Sequence, residues 1–144
     1  MIKIKYKGSS RINEVPRSKK VEESEDAIPY LKELIGDLMR EKEVFCALFL
    51  DGSSRVCGKE VIHIGTLNQS LVHPREVFRP AIMANCAGII IAHNHPSGTL
   101  EASRSDISIT RRLQEVGILV GIAVLDHIIL TEDGHYSFES DDMM

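Results

Sequence analysis

The sequence lacks the marks of several large classes of protein. No run of apolar residues approaches the length of a membrane span, so no membrane role is expected. The first residues, Met1-Ile2-Lys3-Ile4-Lys5-Tyr6-Lys7, alternate apolar and charged side chains and hold no signal-peptide core. Basic residues are not in excess: 17 Lys and Arg stand against 21 Asp and Glu, a formal net charge of -4. That balance argues against a general electrostatic grip on nucleic acid. Cysteine is scarce. Cys46, Cys57 and Cys86 are odd in number, far apart and not arranged as CxxC, so they read as reduced residues of a cytoplasmic protein. Internal repeats and low-complexity tracts are absent.

What remains is a sequence of 144 residues with 43% apolar content, enough for one domain with its own core. Residues 2–7 have the period of a half-buried strand, and residues 8–23, broken by Gly8 and Pro16, read as a connector. Residues 1–23 thus form an N-terminal strand and connector, residues 24–139 the domain, and residues 140–144 a frayed end. A helix is predicted from near Ser24 to Asp26, with Ala27, Leu31, Leu34, Ile35, Leu38 and Met39 at helical spacing. With Asp26 as its cap, Pro29 falls in the first turn. Val44–Leu50 and Arg55–Gly65 are predicted strands about the turn Asp51-Gly52-Ser53-Ser54. His73-Pro74 opens a second helix, which Pro80 should kink or shorten. The apolar run Ala87–Ala92 suits a strand buried on both faces. A third helix runs from about Ser103 to Glu115 and is ended by Gly117; Ile118–Leu125, His127–Leu130 and His135–Phe138 complete the strands. Strands alternating with three helices predict a three-layer α/β/α domain with a mixed sheet.

The segment rich in chemistry is His93-Asn94-His95-Pro96-Ser97-Gly98, followed by Ser103-x-x-Asp106. In extended backbone, residues i and i+2 point the same way, so His93 and His95 can aim both imidazoles at one point past a buried strand. Asp106, in the first turn of the next helix, can supply a carboxylate. Two His and one carboxylate make a three-ligand zinc site with a fourth position open to water. Such a metal makes hydroxide available near neutral pH. The chemistry then needs a base for the water proton and a donor for the oxyanion. Glu43, at the mouth of the Val44–Leu50 strand, is the best candidate for the base, and Ser103 for the donor. Taken singly, His-x-His is a common loop pattern and Ser-x-x-Asp an ordinary capping box; the combination is what carries the reading.

His-x-His, then seven residues beginning with Pro96, then Ser-x-x-Asp is similar to the metal motif of JAMM proteases. Around it stand Leu71-Val72-His73-Pro74-Arg75-Glu76-Val77-Phe78, Ala92-His93-Asn94-His95-Pro96-Ser97-Gly98 and Leu125-Asp126-His127-Ile128-Ile129. Together they resemble the bacterial RadC family over about residues 25 to 138. The resemblance implies a cytidine-deaminase-like JAMM/MPN fold, one zinc ion per molecule and cleavage of peptide or isopeptide bonds. It implies that Glu43 is the base and that Ser103 stabilises the tetrahedral intermediate. Longer relatives carry a helix-hairpin-helix-like region in front. The two dozen or so residues here are too few for one, so no strong binding to nucleic acid is expected.

Several other residues draw attention. Arg75 and Glu76 are expected to shape or line the site. His73 is expected to cap the second helix, His127 to be a buried, hydrogen-bonded histidine, and His63 and His135 to be exposed or at strand edges. The expected partner is a peptide or protein substrate, and homodimerisation stays open. Two rival functions are a DNA-repair-associated or nuclease-like factor and a metal-binding interaction module without turnover. An intact set of ligands, base and oxyanion donor favours the enzyme.

Overall fold

The computed structural model describes residues 13–14, 19–68 and 70–144. In sequence order they form β1 (Asn13–Glu14), α1 (Ser24–Ile35), a 3-10 turn (Gly36–Leu38), β2 (Val44–Leu50), β3 (Val56–Ile64), α2 (Pro74–Met83), β4 (Gly88–Asn94), α3 (Arg104–Val120), β5 (Ala123–Leu130) and β6 (His135–Ser137). The strands make one sheet in the order β1-β3-β2-β4-β5-β6. β4 and β5 run parallel, with α3 as the crossover between them; the other neighbours are antiparallel.

β2 and β4 lie at the centre, and each is buried along its whole length. That is why both are continuous apolar runs rather than alternating ones. Phe45, Ala47 and Phe49, with Ile89 and Ile91, pack under α2 and α3 against Val77, Phe78, Ile109 and Leu113. Cys46, Leu48 and Leu50, with Ile90 and Ala92, pack against Ala27, Leu31 and Ile35 of α1. The domain therefore has the expected three layers. All three cysteines are free. Burial pushes the Cys46 and Cys86 thiols up to about 12, so both act as small apolar fillers.

The structure departs from expectation at the ends of elements. The strand expected over residues 2–7 lies outside the described residues. Inside the expected connector, Asn13 and Glu14 pair with Lys59 and Gly58, and Lys20 bridges to Arg55. The β3 ladder holds this short edge, and nothing in its own pattern announces it. The cap of α1 is Glu23, and Asp26 is the third helical residue. Pro29 consequently lies in the helix interior, where its missing N–H costs Glu25 a helical donor.

Gly117 does not end α3. The helix continues to Val120 and stops at Gly121, which has a left-handed φ of 77°. Gly117 is small because the backbone folds back over it: a Cβ there would strike the Ile122 carbonyl oxygen. As a result Ile118–Val120 are helical, and the two expected strands after them are one, β5. The last residues are tethered rather than frayed. Met143 N donates to Phe138 O at 2.8 Å, and Tyr136 Oη to Asp141 Oδ2 at 2.7 Å.

Candidate metal centre

β4 carries the first histidine further into the sheet than its apolar run suggests. His93 is still a strand residue, opposite Phe45 on β2 and Ile129 on β5. His95 follows the strand, and its N–H donates to Leu130 O at 2.9 Å. Its ring Nδ1 lies 2.8 Å from Thr99 O, which fixes the ring and leaves Nε2 for the site. Gly98, with φ 88°, folds the loop back, and its N–H donates to His95 O. The loop ends at Ser103, the cap of α3. Ser103 Oγ accepts from Asp106 N at 3.0 Å, and Asp106 Oδ2 accepts from Ser103 N at 2.9 Å. This capping box aims the carboxylate at the end of β4.

Three side chains converge there. His93 Nε2 and His95 Nε2 are 2.9 Å apart. Asp106 Oδ1 is 3.1 Å from His93 Nε2, and Asp106 Oδ2 is 3.3 Å from His95 Nε2. The donor set fits a metal ion on chemistry and spacing. Donors about 2.0–2.1 Å from a tetrahedral zinc stand roughly 3.3 Å apart, and each of these contacts is close to that spacing, with the two Asp106 oxygens each facing one imidazole. His93 and Asp106 are buried, and His95 is half-buried toward solvent. Burial raises the Asp106 carboxyl, but hydrogen bonds from His93 and His95 outweigh it, and the group is held well below the usual carboxylate range. The same contact with Asp106 raises His95.

Behind His93 stands a second line of polar groups. His93 Nδ1 is 2.8 Å from His127 Nε2, and His127 Nδ1 meets Thr110 Oγ1. Thr110 Oγ1 donates to Asp106 O at 2.7 Å. A metal held by His93 Nε2 would leave the ring proton on Nδ1, directed at His127 Nε2. His127 then carries its own proton on Nδ1, donating to Thr110. Burial holds His127 well below the ordinary imidazole value, which keeps it neutral for this part. His127 also stacks on Phe138, with centroids 4.7 Å apart. It is the buried, hydrogen-bonded histidine that the sequence suggests, with its partner now identified.

A cleft of about 670 Å³ opens over the centre, bordered by Glu43, Leu67, His95, Pro96, Ser103 and Asp106. Glu43 is held at both ends: its O accepts from Gly65 N at 2.8 Å, and its Oε2 from Leu67 N at 2.6 Å. The fold therefore brings all five residues singled out from the sequence to one place: Glu43, His95, Ser103 and Asp106 border the cleft, and His93 is buried in contact with His95 and Asp106.

One contributor escapes sequence reasoning. Asn94, the spacer of His-x-His, points to the opposite face and is fully buried. Its Oδ1 accepts from Val44 N at 2.7 Å, and its Nδ2 donates to Met39 O and Lys42 O at 2.9 and 2.8 Å. Asn94 thus ties the end of β4 to the turn that carries Glu43. A polar residue at a buried strand position is the available signal.

Arg75 and Glu76 do not border this cleft; they line a separate cavity between β3 and α2. The helix start that carries them packs against β3 rather than against the end of β4. His73 occupies the cap position of α2, but its imidazole makes no capping bond. His135 is half-buried on β6, 3.5 Å from Glu25. Asp126 accepts from His127 N, Ser137 Oγ and Glu139 N, and burial raises its carboxyl. These bonds hold the C-terminal segment to β5.

An α/β domain with a buried His-His-Asp group under a cleft is the class that fold and site define. Comparison with known proteins gives the family. Residues 21–143 match the profile of the RadC-like JAB domain, and the protein belongs to that family. A UPF0758 protein of Geobacter sulfurreducens is 52% identical over 101 residues, covering 70% of this sequence and 44% of the relative. UPF0758 proteins of Finegoldia magna and Methanosarcina mazei are 55% and 52% identical over 95 and 100 residues, each covering 43% of the relative. The matched region thus spans less than half the length of these relatives. Among the described residues, no helix is long and apolar enough to cross a membrane.

Proposed function

We propose that the domain is a zinc-dependent hydrolase of peptide or isopeptide bonds, with one ion per molecule held by His93, His95 and Asp106. The carrying observation is the convergence of two imidazole nitrogens, 2.9 Å apart, with one Asp106 oxygen 3.1 Å from His93 Nε2 and the other 3.3 Å from His95 Nε2, under a cleft that also holds a fixed carboxylate. Two nitrogens and one carboxylate suit zinc and leave a position open. A zinc ion bound there supplies Lewis acidity at a carbonyl and acidifies a water.

The remaining roles fall to the protein itself. Leu67 N–H fixes one oxygen of Glu43, leaving the other to take a proton from water in the cleft and return it to the leaving amine. Ser103 Oγ accepts from Asp106 N and so retains its hydroxyl hydrogen for an oxyanion. His127 and Thr110 keep the His93 ring oriented. The three free thiols fit a reducing compartment such as the cytoplasm, and the net charge of -4 supports weak binding to nucleic acid.

Glu43→Gln tests the reading. Glutamine keeps the shape and the bond from Leu67 but cannot take a proton at neutral pH. Metal content and fold are expected to stay, while hydrolysis of a responsive substrate, found by screening peptides and isopeptide-linked conjugates, falls by ~10²–10⁴-fold. Cleavage at the wild-type rate would remove Glu43 from the chemistry.

A further inference from the structure

The cavity that Arg75 and Glu76 do line, about 350 Å³ between β3 and α2, is also bordered by Glu60, Ile62, Arg79 and Met83. Glu60 lies opposite Ala47 on β2, on the side of the sheet that α2 covers. Its Oε2 is buried and has no hydrogen-bond partner, the one such side-chain atom among the described residues. Burial pushes the Glu60 carboxyl up; the Arg79 charge draws it back, yet gives Oε2 no hydrogen bond. Arg75 and Arg79 stand one helical turn apart on α2, so both side chains leave the same face of the helix, and both border the cavity. Both are exposed at the mouth of the cavity.

A buried carboxylate oxygen without a donor is costly, and folds rarely retain one that nothing will satisfy. A simple anion would suit the two arginines but meet the carboxyls of Glu60 and Glu76. A simple cation would suit Glu60 but repel the arginines. The ligand must carry a donor and an anion side by side. We propose that this cavity binds a peptide segment presenting a carboxylate next to a main-chain N–H, the N–H donating to Glu60 Oε2 and the carboxylate resting on Arg75 and Arg79. A guanidinium fork matches a carboxylate in two parallel bonds. The chemistry occurs at the free C-terminus of a peptide and at an internal Asp or Glu.

β3 connects this cavity to the metal cleft: Glu60–Ile62 border the first, Ile64 and Gly65 the second. At ~3.3 Å per residue, Glu60 and Ile64 stand roughly 13 Å apart. A peptide following β3 would be anchored by its carboxylate about four residues from the bond in the cleft. The choice of a peptide rests on the hydrolase reading above; the pairing of donor and acceptor groups in the cavity does not.

The test is a titration of the ¹⁵N-labelled protein followed by amide NMR. Four probes are used: a doubly capped pentapeptide of glycine with a central glutamate, acetylated pentaglycine with a free C-terminus, doubly capped pentaglycine, and sodium acetate. At least one carboxylate-bearing peptide should shift the amides of Glu60–Ile62 and Arg75–Arg79, and the stronger of the two identifies the source. Capped pentaglycine and acetate should bind about tenfold more weakly or worse. The double variant Arg75→Ala/Arg79→Ala and the variant Glu60→Leu should each lose the response. Glu60→Leu should melt no lower than wild type, because leucine removes an unsatisfied polar atom. Binding should persist in His95→Ala, so a peptide that binds but is not cut counts against the hydrolase reading alone. The proposal is overturned if neither carboxylate peptide shifts these amides at about 10 mM. It is equally overturned if acetate binds as well as the peptides, if the response survives loss of both arginines, or if Glu60→Leu melts well below wild type.

Discussion

Asp26 and Asp106 hold the same position in two helices, the third residue after the cap. Each turns its Oδ2 back to accept the N–H of the cap residue, at 3.0 Å from Glu23 and 2.9 Å from Ser103. Locally the two starts are nearly alike, and both carboxyls lie below the usual range. Their surroundings are not alike. Asp26 is exposed, and backbone N–H groups lower it. Asp106 is buried against the two imidazoles at the end of β4, and burial would raise it if they were absent. The difference lies in what the helix start packs against. α3 is the crossover of the β4–β5 parallel pair, and that connection brings its first turn over the end of β4. A capping carboxylate becomes a metal-ligand candidate through topology alone.

The largest expected effect comes from removing the charge that sets the two apart. Asp106→Asn keeps the capping acceptor but withdraws the anion from the two imidazoles. Bound zinc, measured by metal analysis after purification, should fall from about one equivalent to a small fraction, and hydrolysis should disappear with it. Circular dichroism should show the helices intact, because the core does not depend on the ion. Full zinc occupancy in Asp106→Asn would dissolve the distinction between the two helix starts as a matter of metal chemistry.

Much of the site is legible in the sequence because it rests on short-range pattern. His93, His95 and Asp106 are brought together by one strand, one loop and one helical turn, each with its own signal. The layers follow from continuous apolar runs in β2 and β4 and helical spacing around them. What escapes depends on partners that the local pattern does not announce. β1 exists because Gly58 and Lys59 pair with it. Gly117 looks like a helix stop because glycine often is one, whereas its reason is the return of Ile122 across it. Asn94 reads as a spacer, since nothing local tells that Met39 and Lys42 will stand beside it. Arg75 and Glu76 line a different cavity from the expected one for the same cause: resemblance supplies a motif, and only the fold supplies its neighbours.

The next effect probes the depth of the neighbourhood that Asp106 has and Asp26 lacks. His127→Phe preserves the stack on Phe138 but removes the acceptor for His93 Nδ1 and the partner of Thr110. Zinc affinity, measured by competition with a chelator of known strength, should fall about 10–100-fold. Leaving a buried donor unsatisfied should also lower stability by about 1–3 kcal/mol. Unchanged affinity would mean that His93 is oriented by the β4 backbone alone.

Ser103→Ala separates capping from chemistry at the α3 start. The lost bond to Asp106 N should cost about 1 kcal/mol, read from the denaturant midpoint with unchanged slope. If the hydroxyl also serves an oxyanion, turnover should fall ~10²-fold or more at a temperature where both proteins are folded. Loss of stability without loss of rate would return Ser103 to the purely structural role that its counterpart Glu23 has in α1.

The smallest effect is expected at Asp26 itself. Its folded carboxyl lies below the ordinary value of 3.8, chiefly because the N–H groups of Glu23 and Glu22 point at it. A carboxyl lowered on folding contributes stability that is present above the unfolded value and is lost as pH falls through the folded one. Asp26→Asn should therefore lower the melting temperature slightly at neutral pH and leave it nearly unchanged under acid conditions, where the wild-type carboxyl is already protonated. The two melting curves should converge as pH drops below 3.8. Solvent screens this exposed group, so the gap at neutral pH should be small and should shrink further with added salt. Zinc content and turnover should not move, since the partners of the carboxylate, the N–H groups of Glu22 and Glu23 and the charge of Lys19, all lie at or before the start of α1. A loss of metal in Asp26→Asn would mean that α1 communicates with the centre, and the two helix starts could no longer be treated as independent uses of one local device.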